Sequence, residues 1–277
     1  MINGQRRRAW RWLRGALAVV AFGSPALALP AERITVAAAA DLKFAMDEIV
    51  SAYVRTHSDA SVDVVYGSSG KFATQIRQGA PYDLYFSADI AYPCALADAG
   101  FAASPVKPYA LGRIVLWSAG MDASTMTLHS LVDPRIRRIA IANPTHAPYG
   151  KRAEEALRAA GIWTRVQHKL VYGDNIAHTA QFVQSGNAQI GIIALSLALN
   201  PQLAAHGGYG LIPAALHEPL QQGYMVTARA ADNPLARAFA DYIDSAPARA
   251  ALARYGFVLP RPATGPGQRS TSAACAP

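Results

Sequence analysis

The sequence predicts an α/β protein built on mainly parallel sheets. Three observations carry this. Short β-rich runs alternate with helical runs along the body of the chain. Four times a helix begins directly after a strand or short loop, at small or hydroxyl residues. And 52% hydrophobic residues in a 277-residue chain supply a large core, with length allowing one domain or two.

The elements follow in order. The first strand is ITVAAAA (34–40). In LKFAMDEIVSAYVR the apolar Leu42, Met46, Ile49, Val50 and Tyr53 recur at helical spacing. SVDVVYG (61–67) is the second strand, and the run after Gly70 is helical. DLYFSAD (83–89), RIVLWSA (113–119) and RIAIAN (138–143) are the next strands. KRAEEALRAAG is a helix that stops at Gly161. HKLVYG (168–173), AQIGIIA (188–194), YGLIPA (209–214) and YMVTAR (224–229) complete the predicted strands. No internal sequence repeat is visible.

The N-terminal 28 residues stand apart. Arg6, Arg7, Arg8, Arg11 and Arg14 form a basic region, an apolar stretch runs from Gly15 to Phe22, and Ala26-Leu27-Ala28 offers a small-x-small cleavage site. This is the pattern of a secretory signal peptide, too short in its apolar part to span a membrane comfortably. It also explains the charge. The whole chain carries +8, but removing those five arginines leaves +3, with no basic block. That excludes a nucleic-acid-binding reading. The chain has two cysteines, Cys94 and Cys275. An exported protein can form disulfides, but Cys275 sits in a Pro-, Gly- and Ser-rich tail (261–277), a poor partner for a buried cysteine. The seven histidines are scattered without metal-ligand spacing.

The stretch YGSSGKFATQI (66–76) brings together Gly, Ser and Lys. A phosphate loop is excluded, because its first Gly falls on Val65 and its hydroxyl residue on Phe72. A nucleophile elbow is excluded, because Gly67 and Gly70 are three apart rather than four. What remains is a strand-to-helix turn with Ser69 at the cap position and unpaired N–H groups beyond it. Such a turn can hold an anion without catalysis. The same type of junction recurs in AAAADLKFAM, NPTHAPYGKRAEEAL and YGDNIAHTAQFV. If these ends converge, they form a site rich in N–H donors and positive helix-dipole ends. No lysine or arginine is required.

From Ile34 to Leu259 the chain resembles the periplasmic molybdate-binding proteins of ABC transporters, a branch of the type II solute-binding fold. The resemblance is carried by ITVAAAADLKFAMDEI, YGSSGKFATQIRQGAPYDLYFSAD, IANPTHAPYGKRAEEAL, VYGDNIAHTAQFVQSGNAQIGIIA and RYGFVLP, in that order. It implies two α/β lobes joined by crossing strands, with the ligand in the cleft between them. Lobe one would hold 32–110 plus 228–260, and lobe two 111–227. It implies a ligand, molybdate or tungstate, and as partner the membrane permease of an ABC importer. It also implies a periplasmic monomer with no cofactor, no free metal cation and no enzymatic activity. Molybdenum would be bound as its oxyanion. Carried over residue by residue, Ser69 offers its hydroxyl and N–H, Tyr149 a backbone N–H and a phenol, and Ile176 a backbone N–H at a helix start. Asp41 stands where relatives usually have Ser or Asn, and Ala194 where many have Tyr.

Asp41 is the departure that matters, because a carboxylate beside a dianion is repulsive. Three readings stand. It caps its own helix at the N–H of Lys43 or Phe44, it is protonated when ligand is bound, or it accepts a proton carried by the ligand. The helix-cap preference of Asp favours the first. Ser68 is read as supporting the turn, Lys71 as solvated, and His146 and His178 as lying outside direct ligand contact. The alternatives are a binding protein for sulfate or phosphate, and an exported hydrolase using Ser69 with His146 or His178.

Overall fold

A computed structural model describes residues 32–260 and Cys275. The signal at 1–28 and the rest of the tail lie outside the described residues. The ten strands are β1 (Glu32–Ala39), β2 (Ala60–Gly67), β3 (Leu84–Ser87), β4 (Lys107–Gly112), β5 (Ile114–Trp117), β6 (Ile139–Ala142), β7 (Leu170–Gly173), β8 (Ile190–Ala194), β9 (Tyr209–Leu211) and β10 (Leu220–Val226). The longer helices are α1 (Lys43–Thr56), α2 (Ser69–Arg77), α3 (Ala91–Asp98), α4 (Pro148–Ala159), α5 (Ile176–Gln184), α6 (Pro234–Tyr242) and α7 (Ala246–Arg254).

The strands form two five-stranded sheets, ordered β2-β1-β3-β10-β4 and β7-β6-β8-β5-β9. In the first, β1 is parallel to β2 and β3, and β10 is antiparallel to β3 and β4. In the second, β6 is parallel to β7 and β8, and β5 is antiparallel to β8 and β9. The sheets therefore share one plan, although the sequence shows no repeat. The runs LYFS, IVLW, IAIA and IGIIA are buried throughout, as expected of strands covered on both faces. Each lobe has its own apolar core, around Ile34, Val36 and Phe86 in one and Leu116, Ile141 and Ile192 in the other.

The chain passes from the first sheet to the second through Arg113, the one residue between β4 and β5, and returns between β9 and β10. Because β10 lies in the first sheet, that return is complete by Leu220, earlier than the expected boundary at 228. The QQG segment at 221–223, outside the predicted strands, is part of β10, with a register irregularity between Gln222 and Gly223. Strand β4 is not among the predicted strands, and it carries Pro108, a residue that strands tolerate mainly at edges and bulges. It is an edge strand, and Pro108 pairs with Gly223 beside the register irregularity.

The cysteine expectation also needs correction. Cys94 and Cys275 form a disulfide, with Cα atoms 5.5 Å apart. Cys94 retains 9% exposure on α3, near enough to the surface for the tail to reach it.

Candidate functional site

The four strand-to-helix junctions meet at one cavity. Ala40 and Asp41 come from the turn after β1, and Ser68 and Ser69 from the start of α2. Tyr149 comes from the first turn of α4 and Ile176 from that of α5. The shared plan of the sheets accounts for this. The junctions after β1 and β6 correspond, as do those after β2 and β7, so two like pairs face each other across the cleft. The cavity offers only about 10 Å³ to the centre of a water-sized sphere.

Hydrogen-bond accounting shows what the cavity can offer. Ser69 is buried, and its Oγ accepts from the Ala88 N–H at 3.0 Å. Its carbonyl accepts from the Tyr85 hydroxyl at 2.7 Å. The acceptor side of the hydroxyl is thus engaged and its proton is left to donate. Ser69, Tyr149 and Ile176 lie in the first turns of α2, α4 and α5, where the helix supplies no acceptor for backbone N–H groups. Three positive dipole ends therefore converge there. The cap of α2 is Ser68 rather than the expected Ser69, and Ser68 makes no side-chain cap bond.

Asp41 does not cap its helix. It lies in a short 3-10 turn before α1, and no side chain caps either element. Its Oδ2 instead accepts from Gln222 Nε2 at 2.7 Å and from the Tyr149 hydroxyl at 2.9 Å. Its Oδ1 is buried with no hydrogen-bond partner. Burial is the largest influence on its titration and raises the pKa to about 6. The bonds from Gln222 and Tyr149, and weaker approaches of the Asp41 and Leu42 N–H groups, lower it only in part. The cap reading fails because Gln222 and Tyr149 draw the carboxyl group into the cleft. For the same reason the Tyr149 phenol is committed to Asp41, which leaves its backbone N–H for a ligand. Gln222 is the site residue that the sequence did not reveal. It is fully buried on β10, in a segment with no strand signature.

Several further polar contacts hold the two lobes together. The Ser68 hydroxyl donates to the His146 carbonyl and meets His146 Nδ1 at 3.0 Å. The Gly70 N–H donates to the same carbonyl at 2.9 Å. Lys71 forms an ion pair with Asp174 across the cleft, so it is not simply solvated. Arg152 on α4 is buried, bonded to Glu155 at 2.6 Å and 3.6 Å from Asp89 in the first lobe. Ser196 Oγ donates to the Asp41 carbonyl at 2.7 Å. His178 stays within its own junction, its N–H bonded to Asn175 Oδ1. Ala194 closes β8, fully buried.

This pairing bears on hydrolysis. The serine that meets a histidine is Ser68, not Ser69. Its only proton goes to a carbonyl, so the imidazole must donate to it through Nδ1–H. Burial and the nearby Lys71 lower the His146 pKa, which Asp174 partly offsets. A neutral His146 protonated on Nδ1 holds no lone pair towards Ser68 with which to activate it.

Residues 34–258 match the family of bacterial extracellular solute-binding proteins. The chain belongs to that family. Among relatives of this solute-binding protein, the molybdate-binding protein ModA of Azotobacter vinelandii is 34% identical, with 87% of this chain and 96% of that protein covered. The ModA protein of Rhodobacter capsulatus is 31% identical, with 84% and 91% covered. The solved structure of the Azotobacter vinelandii periplasmic molybdate-binding protein superposes with a TM-score of 0.77 at 28% identity, covering 82% of this chain and all of that one (100%). The sulfate-binding protein SubI of Mycobacterium tuberculosis shares the fold, with a TM-score of 0.67 at 15% identity. Two lobes of α/β structure with the cleft between them are thus the fold of this protein, as expected.

Proposed function

We propose that this solute-binding protein captures molybdate, or the equally sized tungstate, in the periplasm and hands it to the membrane permease of an ABC importer. The observation that carries the reading is the convergence on one small cavity of a free hydroxyl proton and three helix N-termini. Such a site neutralises an anion with dipoles and N–H donors, not with a fixed cation. The nearby cations are already paired, Lys71 with Asp174 and Arg152 with Glu155 and Asp89. Ser69 binds through its hydroxyl and N–H, and Tyr149 and Ile176 through backbone N–H groups. Asp41 lies beside the anion, and no resident cofactor is involved. The relatives named as molybdate-binding proteins support the choice of anion.

The lobes in this reading are residues 32–112 with 220–260, and residues 113–212. They close on the anion about the two crossings, and the protein acts as a monomer after export by its N-terminal signal. The test is titration calorimetry of the mature protein with molybdate, tungstate, sulfate and phosphate. Saturable binding of molybdate and tungstate, tighter than that of sulfate and phosphate, supports the reading. Heat only with sulfate or phosphate, or with none, overturns it.

A further inference from the structure

We propose that Asp41 is a specificity residue that binds the anion as a neutral acid, so that capture of a fully deprotonated oxyanion takes up one proton from solvent. This rests on the reading of the cavity as an oxyanion site and adds the form in which Asp41 takes part.

The two carboxyl oxygens of Asp41 stand in different surroundings. Gln222 Nε2 can only donate, and it donates to Oδ2 together with Tyr149. Oδ2 is therefore held as an acceptor, and a proton on this carboxyl group belongs on Oδ1. Oδ1 is the buried oxygen with no partner in the protein, on a residue that lines the cavity. A buried carboxylate oxygen left unpaired beside a dianion is unfavourable twice over, through lost solvation and through repulsion. An Oδ1–H instead supplies a donor at that position. It does the work for which a serine or asparagine would serve, with a group that can also lose the proton.

The surroundings favour this form. The titratable groups facing Asp41 are Tyr149 from α4 and Tyr109 from β4, and burial keeps both phenols protonated. Gln222 from β10, Ser69 from α2 and Ser196 from the helix after β8 are uncharged. Among the described residues no lysine, arginine or histidine stands in ion-pair contact with it. The carboxylate has no cation to hold it ionised, and an incoming dianion raises its proton affinity further.

The linkage has a definite sign. Without ligand the group titrates at about 6. Below that pH it is already neutral, and molybdate binding should take up almost no proton. Above it, uptake should approach one proton per anion, and affinity should fall about tenfold per pH unit, reaching roughly a hundredfold at pH 8. Hydrogenphosphate differs because it brings its own proton. It can be accepted by the ionised Asp41 without uptake, and its affinity should not fall in the same way.

The experiment is calorimetry of the mature protein at pH 5 to 8, in buffers of different ionisation enthalpy, with molybdate and phosphate. Uptake of about one proton per molybdate at pH 8, vanishing at pH 5, is the expected result. Molybdate binding with no proton uptake at pH 8 overturns the inference while the proposed function stands. No oxyanion binding at any pH overturns the function, and the inference with it. Asp41→Asn, which copies the neutral acid, should bind molybdate with pH-independent affinity, tighter than wild type at pH 8, and should lose any hydrogenphosphate binding. A pH-dependent Asp41→Asn would equally refute the idea. If that variant does not fold, the proton count on the wild-type protein decides alone.

Discussion

Asp41→Asn should stabilise the ligand-free protein at pH 8 but not at pH 4. In wild type the carboxyl group is buried without a cation, and its pKa is raised from 3.8 to about 6. The folded state therefore binds more protons than the unfolded state between those values. The sign follows: stability is fully present below the unfolded value and is lost as pH rises through the folded one. A shift of about two units corresponds to roughly 3 kcal/mol of stability missing at pH 8. The asparagine carbonyl can take the place of Oδ2, accepting from Gln222 and Tyr149, and its NH₂ takes the place of Oδ1. Any difference in packing or in an unpaired NH₂ is the same at every pH, so the pH-dependent part isolates the carboxyl group. Urea unfolding of both proteins without oxyanion, at unit intervals from pH 4 to pH 8, measures it. The stability difference should grow by roughly 3 kcal/mol across the series, on the order of 6–12 °C in Tm for a domain of this size. A difference that stays constant with pH would show that Asp41 titrates alike in the folded and unfolded chains, and the account of its burial would be wrong.

Other expectations follow from the same geometry. Ser69→Ala should weaken molybdate binding roughly tenfold to a hundredfold, since a hydrogen bond to a charged group is worth about 1.5–3 kcal/mol; unchanged calorimetric affinity would exclude its hydroxyl from the site. Gly70→Ala should leave the lobes stable but hinder their closure. A Cβ there would stand 2.7 Å from the His146 carbonyl, so weaker anion binding and a persistently open form in small-angle scattering are expected, and normal closure would count against the contact. Lys71→Ala should alter unfolding stability by less than about 1 kcal/mol, because its ion pair with Asp174 is half exposed; a larger loss measured in urea would reveal a stronger coupling between the lobes. The exported protein should have the mass of a chain cleaved near Ala28, and a mass that retains the first 28 residues would refute the signal reading.

Much of this arrangement was legible because it is local. Alternating apolar runs mark the strands, and small or hydroxyl residues mark the junctions from which Ser69, Tyr149 and Ile176 reach the cavity. What stayed hidden depends on partners remote in sequence. Gln222 lies in a polar run just before the predicted strand at 224–229, and pairing with β3 and β4 makes that run part of β10. Asp41 has the preference of a helix cap, but a tyrosine 108 positions away and a glutamine 181 positions away claim its side chain. The contact of Ser68 with His146 spans 78 positions and leaves no trace in either segment. Strand β4 also lay outside the predicted strands; it carries one proline, Pro108, which the sheet edge and the adjacent register irregularity accommodate.

The position of β10 has a consequence for how the chain is assembled. Strand β4 ends at Gly112, yet its sheet neighbour is β10, which begins at Leu220. All strands of the other sheet lie between those points and pair only with one another. One lobe can thus be completed from a continuous stretch of chain, while the other must wait, with β3 and β4 unjoined, until the polypeptide has come back. A chain ending before Leu220 would contain every strand of the second sheet and only four of the five strands of the first. The residue that such a chain lacks at the cleft is Gln222, so the last strand to arrive also brings the last hydrogen bond to Asp41.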